Sequence, residues 1–265
     1  MSSKAQLSWV PFFTLFRREC MRFQKVAAQT LLTPLINSSL YLLIFGVSLG
    51  QHISLVSGVS YLAFLIPGLV MMSCLNNAFQ NSSSSVGGAK FAGELEDFKV
   101  TPLSEQQIIW ALSFGGLARG LIVGFITYLV GQAFYFLTHG AWLGVEHPLI
   151  LLFFLIVGGL AFAQLGLMVA FWAKTFDQLS VVGGFILLPL LYLGGVFFSI
   201  ESLHPFWRNL AQFNPLLYLI NGVRYGILGI SDVPLGFAAV VSLLALLLMY
   251  VLALRLLRVS SFSRW

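Results

Sequence analysis

From Val26 to Ala89 the chain contains no Lys, Arg, Asp or Glu, a run far longer than the about 20 residues that one bilayer crossing requires. A break must lie inside it. The polar, Gly- and Ser-bearing stretch from Gln51 to Ser60 provides one, which predicts a first span over 30–50 and a second over 61–81. Ser82 to Ser85, Gly87 and Gly88 then open a charged segment that runs to Glu105. Further apolar stretches predict spans over 106–137, 148–172, 178–199 and 233–257. Their connections are a turn from His139 to His147 and a tight one marked by Lys174 and Asp177. No run alternates apolar and polar residues as a barrel strand would, so the expected class is an all-α integral membrane protein of six transmembrane helices.

Two regions depart from simple spans. Residues 200–232 are mostly apolar but are punctuated by Pro205, Pro215 and Gly222, a length and composition unsuited to one clean crossing. A re-entrant pair of short helices over 203–230, between spans five and six, reconciles the two. Near the N-terminus, Trp9, Phe12, Phe13, Phe16, Cys20 and Phe23 fall on one helical arc, with Arg17, Arg18, Arg22 and Lys25 on the other side. This predicts an amphipathic interfacial helix over 7–25, although Leu15 and Met21 blur the pattern; an ordinary basic flank of the first span is the plainer alternative. The apolar stretch after these cations exceeds the about 7–15 residues of a signal-peptide core and has no small-residue cleavage site, so the first span is expected to be retained.

Composition agrees: 58% of the residues are hydrophobic, 9% are charged and the mean hydropathy is +0.92, against about 25% charged in soluble domains. The net charge of +5 reads as a topological signal rather than a nucleic-acid surface. Assigning alternate loops to opposite sides gathers Lys4, Arg17, Arg18, Arg22, Lys25, Lys90, Lys99, Lys174, Arg255, Arg258 and Arg264 on one side, against Arg208 and Arg224 on the other. Eleven against two places both termini in the cytoplasm. Arg119 completes the fourteen and lies within span three, where it either ties helices together or touches substrate.

The chemistry of an energy converter is missing. No GxxxxGK[ST] loop occurs, and Gly87-Gly-Ala-Lys90 lacks the following hydroxyl. All nine acids fall outside the predicted spans, which counts against a proton-coupled carrier. Cys20 and Cys74 are too isolated for a disulfide framework or metal site. His52, His139, His147 and His204 lie in separate outer loops and read as plain interface residues; a lipid-modifying enzyme would need them gathered. Gly116, Gly120 and Gly124 share a face of span three, either for close helix approach or as ordinary glycine enrichment.

The stretch from Gly87 to Ser104, GGAKFAGELEDFKVTPLS, resembles the first cytoplasmic loop of ABC type-2 exporter permeases. Asn214 to Gly229, NPLLYLINGVRYGILG, is similar to their segment before the last span. Pro67–Met72, Ala173–Asp177 and Tyr192–Phe197 extend the likeness over nearly the whole chain, nearest to the YadH-like inner-membrane permeases. The resemblance implies a single type V ABC exporter-like domain over 1–265 in the inner membrane, which works as a homodimer among membrane lipids, with two copies of a separate ABC ATPase and no nucleic acid. ATP and Mg belong to that partner, and the chain itself carries no cofactor, metal or catalytic residue. A coupling helix maps to 93–102, where Glu94, Leu95, Glu96, Asp97, Phe98 and Lys99 would meet the ATPase before Pro102 limits the helix. Asn76, Asn77, Gln80, Phe185, Tyr192 and Phe197 would line a path for an amphipathic, lipid-like or glycan substrate leaving the cytoplasm or inner leaflet. Arg119 and Arg224 stand as structural or pathway residues. The competing reading is an ATPase-independent channel or ion-coupled carrier.

Overall fold

The computed structural model describes residues 9–50, 58–96 and 101–260. Helices account for nearly all of them, and no strand occurs among the described residues. We number the helices α1 (Trp9–Gln24), α2 (Ala27–Tyr41, prolonged by a π-helical Leu42–Leu49) and α3 (Tyr61–Phe91). They continue with α4 (Glu105–His139), α5 (Pro148–Trp172), α6 (Phe176–Leu193), α7 (Pro205–Gln212), α8 (Pro215–Leu228) and α9 (Leu235–Ser260). Six of these contain stretches long and apolar enough to cross a membrane: α2 to α6 and α9.

The hub is α3. Its side chains are almost all buried, from Tyr61 and Phe64 at one end to Val86 and Gly87 at the other. Helix α4 runs antiparallel to it on a glycine face: a Cβ on Gly116 would lie 2.5 Å from Ser82 Oγ, one on Gly120 2.6 Å from the Cys74 carbonyl, and one on Gly131 2.8 Å from Ile66. Of the two readings open for Gly116, Gly120 and Gly124, close helix approach is the one their contacts with α3 match, and Gly131 extends the same face. On its other side α3 meets α5 in parallel, with Gly166 against the Phe79 carbonyl. Helix α8 runs antiparallel to α5, with Leu219 near Gly158, Gly222 on Phe154 and Gly226 on Leu151.

Sequence boundaries and helices differ most at the end of α3. Hydropathy closes the second span at Asn81, yet the helix continues to Phe91. Its 31 residues span about 46 Å at 1.5 Å each, more than the about 30 Å of a hydrocarbon core. The serines that read as a loop bond back into the helix, with Ser83 Oγ donating to the Gln80 carbonyl (3.4 Å) and Ser84 Oγ to that of Asn81 (3.2 Å). Span five ends earlier than expected, at Leu193, because the chain turns through Gly194 and Gly195, the latter at φ +83°.

Helix α1 also differs from its expected arrangement. Trp9 and Phe13 are exposed, but the face turned to the protein is Leu15, Glu19 and Phe23. Glu19, read from sequence only as an acid outside the spans, is fully buried. It accepts hydrogen bonds from Ser85 Oγ (2.9 Å), Arg22 Nε (3.2 Å) and Arg18 (3.2 Å). Arg22 in turn donates to the backbone carbonyl of Asn81 (2.6 Å) and its side-chain oxygen (3.1 Å). Gly115 of α4 leaves room for the Glu19 side chain, since a Cβ there would fall 2.5 Å from it. Burying a carboxylate is costly unless it is paired and hydrogen-bonded, and here three donors meet it.

Candidate functional site

Four helices enclose a polar cavity of about 320 Å³. Thr30, Thr33, Asn37, Ser38 and Tyr41 come from α2, and Ser73, Asn76, Asn77 and Gln80 from α3. Arg119 reaches in from α4, and Leu188 and Tyr192 from α6. The α2 residues recur at helical spacing, so one face of an otherwise apolar span is polar. Three- and four-residue steps link the α3 set in the same way. Four of the residues expected to form a path, Asn76, Asn77, Gln80 and Tyr192, are therefore brought together, and Arg119 joins them. Phe197 stands beside them in a cluster with Tyr41, Phe45 and Tyr192. Phe185 does not line the cavity and is 79% exposed.

Internal hydrogen bonds satisfy part of this lining. Asn77 Nδ2 donates to the Ser73 carbonyl (3.0 Å), Gln80 Nε2 donates to Asn76 Oδ1 (3.3 Å), and the Tyr41 and Tyr192 hydroxyls meet at 3.1 Å. Ser38 pairs with Thr127 behind the cavity (3.3 Å). Arg119 Nε and Thr30 Oγ1 are buried and have no hydrogen-bond partner among the described residues. An arginine at the centre of a membrane helix costs about 2.5–3.5 kcal/mol on insertion scales, so its place at a polar cavity rather than on an apolar face has a physical reason. Sequence reasoning missed the α2 wall. The signal was present in the Thr30, Thr33, Asn37, Ser38 and Tyr41 spacing, but the span was read only for its hydropathy.

Helices α2 and α6 share a backbone peculiarity. Leu42–Leu49 and Val182–Leu187 are π-helical, a wide winding frequent at functional sites. With α9, they are also the three least buried of the candidate spans.

Arg224 belongs to a different place. Its guanidinium is fully buried, donates to the Gly195 carbonyl (2.6 Å) and Asn221 Oδ1 (3.2 Å), and lies over the Phe64 ring. It fastens α8 to α3 and to the turn after α6, away from the polar cavity.

At the α3 terminus, Lys90 Nζ donates to the carbonyls of Phe171 (2.5 Å) and Ala173 (2.8 Å), capping the end of α5. A cation suits the negative end of a helix dipole. Four residues on, Glu94–Glu96 forms a single 3-10 turn in which Glu94 is exposed and Leu95 packs against the core. Asp97, Phe98 and Lys99 lie outside the described residues. A second, open concavity of about 760 Å³ lies here between α1 and the end of α3, lined by Arg17, Arg18, Arg22, Lys25, Ser84, Ser85 and Glu94. At the same end of the bundle, Arg258 Nε donates to Glu105 Oε2 (2.6 Å) and joins the end of α9 to the start of α4. Cys20, on α1 beside this region, has its thiol pushed above the ordinary range by burial first and the Glu19 carboxylate second.

The histidines do not converge. His139 stacks on Tyr135 and His147 on Tyr225, while His204 accepts from the Phe206 amide; His52 lies outside the described residues. Among the described residues, no group of three His, Cys, Asp or Glu side chains is arranged to hold a metal.

Comparison with known proteins places this geometry in a family. Residues 11–228 match the ABC-2 type transporter family. Inner membrane transport permease YadH of Escherichia coli K12 is 42% identical over 229 residues, covering 86% of this chain and 87% of that protein. Nodulation protein J of Neorhizobium galegae is 30% identical over 242 residues, covering 88% and 87%. The nodulation protein J of Rhizobium leguminosarum bv. viciae is 29% identical over 229 residues, covering 84% and 83%. With six apolar helices around a buried hub, the chain belongs to the ABC-2 type transporter family, as a multi-pass inner-membrane permease subunit whose membership implies association with an ABC ATPase.

Proposed function

We propose that the chain is the membrane half of an ATP-driven exporter, in which two copies pair, two separate ATPase subunits supply ATP and Mg, and an amphipathic, lipid-like or glycan substrate passes outward. The observation that carries this reading is the polar cavity, because α2 and α6, two of the three least buried spans, contribute to its wall. Helices α2 and α6 present Leu35, Ile36, Leu40, Phe185 and Ile186 outward, an apolar surface that a second copy or lipid must cover. A partner copy seated there would close the cavity from its open side and make a route between the halves.

In this reading both termini face the cytoplasm, as the Lys and Arg distribution requires. The end of the bundle with Lys90, Glu94, Glu105 and Arg258 is then the ATPase side. The 93–102 segment is the coupling element, and the Lys90 cap makes it rigid with α3 and α5, so a push on Glu94 and Leu95 moves the helix whose Asn76, Asn77 and Gln80 line the cavity. Helix α1 lies in the same interface with Trp9 and Phe13 toward the acyl chains. Helices α7 and α8 form the re-entrant pair. Two facts support that: Asn214, between them, donates to the Leu190 carbonyl (2.7 Å) inside α6, and α8 rises from beside Gly158 to the start of α5. At 14 residues α8 is about 21 Å long, too short to cross.

Co-expression with the candidate ATPase and reconstitution into liposomes tests the reading. ATP-dependent outward movement is expected, together with ATPase co-purification. Substitution of Glu94, Glu96 and Asp97 by Lys should uncouple the two subunits while the permease still purifies as a folded protein. Transport of the same cargo without any ATPase would overturn the exporter reading in favour of a channel or ion-coupled carrier. Unchanged complex formation and transport in the triple variant would overturn the coupling assignment.

A further inference from the structure

The cavity between α2, α3, α4 and α6 has one charged side chain on its wall, Arg119, and no carboxylate. The other buried or half-buried arginines hold partners through at least one nitrogen: Arg22 meets Glu19 and Asn81, and the terminal nitrogens of Arg224 meet Gly195 and Asn221, its Nε being unmatched like that of Arg119. At Arg119 the Nε donor is buried and unmatched among the described residues, and so is the Thr30 hydroxyl on the helix across the cavity. Arg119 follows Glu105, the first residue of α4, by fourteen positions, about 21 Å of helix. It stands one turn beyond Gly115, where Glu19 of α1 packs, and so on the α1 side of the span.

A guanidinium in a low-dielectric setting selects oxyanions, because its planar fork presents parallel N–H donors to two oxygens. Around it, Asn37, Thr33, Ser73 and Asn76 add hydroxyl and amide groups that suit a hydroxylated neighbour of that anion. The volume of about 320 Å³ is at the small end of the about 300–1,000 Å³ typical of ligand sites, enough for a headgroup and not for acyl chains. Apolar Leu35, Ile36 and Leu40 of α2 are exposed in the single chain, so acyl chains would lie along the seam that a partner copy borders.

Building on the transport reading, we propose that this cavity binds the anionic headgroup of an amphiphile, with a phosphate-type oxyanion on Arg119 and its hydroxylated neighbour on Asn37, Asn76 and Thr30. The substrate class is thereby an acidic amphiphile rather than a neutral or purely cationic one.

The test uses the full chain with its ATPase in detergent and three probes: dihexanoylphosphatidylglycerol, dihexanoylphosphatidylcholine and glycerol 1-phosphate. Binding is read by calorimetry. The wild type should bind phosphatidylglycerol saturably and at least tenfold more tightly than either other probe. Arg119→Gln should lose at least tenfold of that affinity, Arg119→Lys should keep part of it, and Arg208→Gln, a change on α7, should match the wild type. Equal affinity for phosphatidylcholine, or an unaltered Arg119→Gln, overturns the proposal. Glycerol 1-phosphate binding as tightly as the lipid overturns its amphiphile part. Should Arg119→Gln fail to fold, the double variant Asn37→Ala/Asn76→Ala must weaken phosphatidylglycerol several-fold, and an unchanged affinity there counts equally against it. ATPase co-purification in the same samples separates the two levels. An associated ATPase without Arg119-dependent binding sinks this inference alone, whereas Arg119-dependent binding without an associated ATPase sinks the exporter reading and leaves the anion site.

Discussion

The guanidinium carbon of Arg224 lies 3.8 Å from the centroid of the Phe64 ring, and both side chains are buried. The cation also holds the Gly195 carbonyl and Asn221 Oδ1, and Asn221 Oδ1 accepts the Asp232 amide (3.0 Å). Asp232 Oδ2 then receives Ser199 Oγ (2.8 Å) and the Ile200 amide (3.0 Å). One connected network thus stitches α3, the turn after α6, and both ends of the chain around α8.

Removing its centre should be expensive. Arg224→Leu leaves two buried acceptors short of a donor and forfeits the ring contact, a loss of about 3 kcal/mol from typical values for unmatched groups and cation–π pairs. Arg224→Lys should lose less but not nothing, since an ammonium lacks the fork that reaches both oxygens. Thermal unfolding of the detergent-solubilised protein would check this. A Leu variant that melts with the wild type would show the network to be ornamental.

The glycine contact between α3 and α4 makes a second prediction. At Gly120 a Cβ would sit 2.6 Å from the Cys74 carbonyl, which is backbone and cannot swing away. Gly120→Val should destabilise by about 1–3 kcal/mol, the usual range for overpacking. Gly236→Ala, where a Cβ meets nothing within 4 Å, should be nearly silent. The pair is to be compared by retention of a monodisperse species after heating, and equal losses would argue against the close packing.

Lys90 reaches the terminal carbonyls of α5 at hydrogen-bonding distance. Lys90→Met keeps the stem but removes the charged donor, and charge-assisted bonds of this kind are worth about 1.5–3 kcal/mol. The expected signature is local: faster amide exchange over the last turn of α5, with exchange in the α8 core unchanged. Protection equal to wild type at Phe171 to Ala173 would contradict the cap.

Cys20 supplies a pH-dependent readout. Because burial and the Glu19 carboxylate both raise its thiol pKa, less thiolate is present at any given pH than for a free thiol. The thiolate is the reacting form. In a Cys74→Ala background, the rate of iodoacetamide labelling should therefore rise with pH through a midpoint above that of a free thiol. Glu19→Gln removes the second cause, so its midpoint should move downward. A midpoint at or below the free-thiol value would refute the described environment.

Much of the fold was legible because membrane insertion is decided by local composition. The charge-free stretch from 26 to 89, the break before Tyr61 and the later apolar runs gave all six candidate spans near their observed places. The end of α3 was not legible. Ser82 to Gly88 look like a loop by polarity; serine bonds back into the helix, packing against Gly116 and Gly166, and the contacts of Arg22 with Asn81 and Glu19 with Ser85 hold them helical. Glu19 itself reads as one more acid outside the spans, since its burial depends on three donors scattered between Arg18 and Ser85 and on the small side of Gly115.

By itself, then, the sequence determined which segments enter the membrane and the likeness to a permease family, since both depend on residue types and their order along the chain. Only the tertiary structure decided which polar faces meet. Hydropathy averages over a helix turn and erases the stripe from Thr30 to Tyr41; packing α2 and α6 against α3 and α4 brings that stripe opposite Asn76, Asn77 and Gln80, with Arg119 between them.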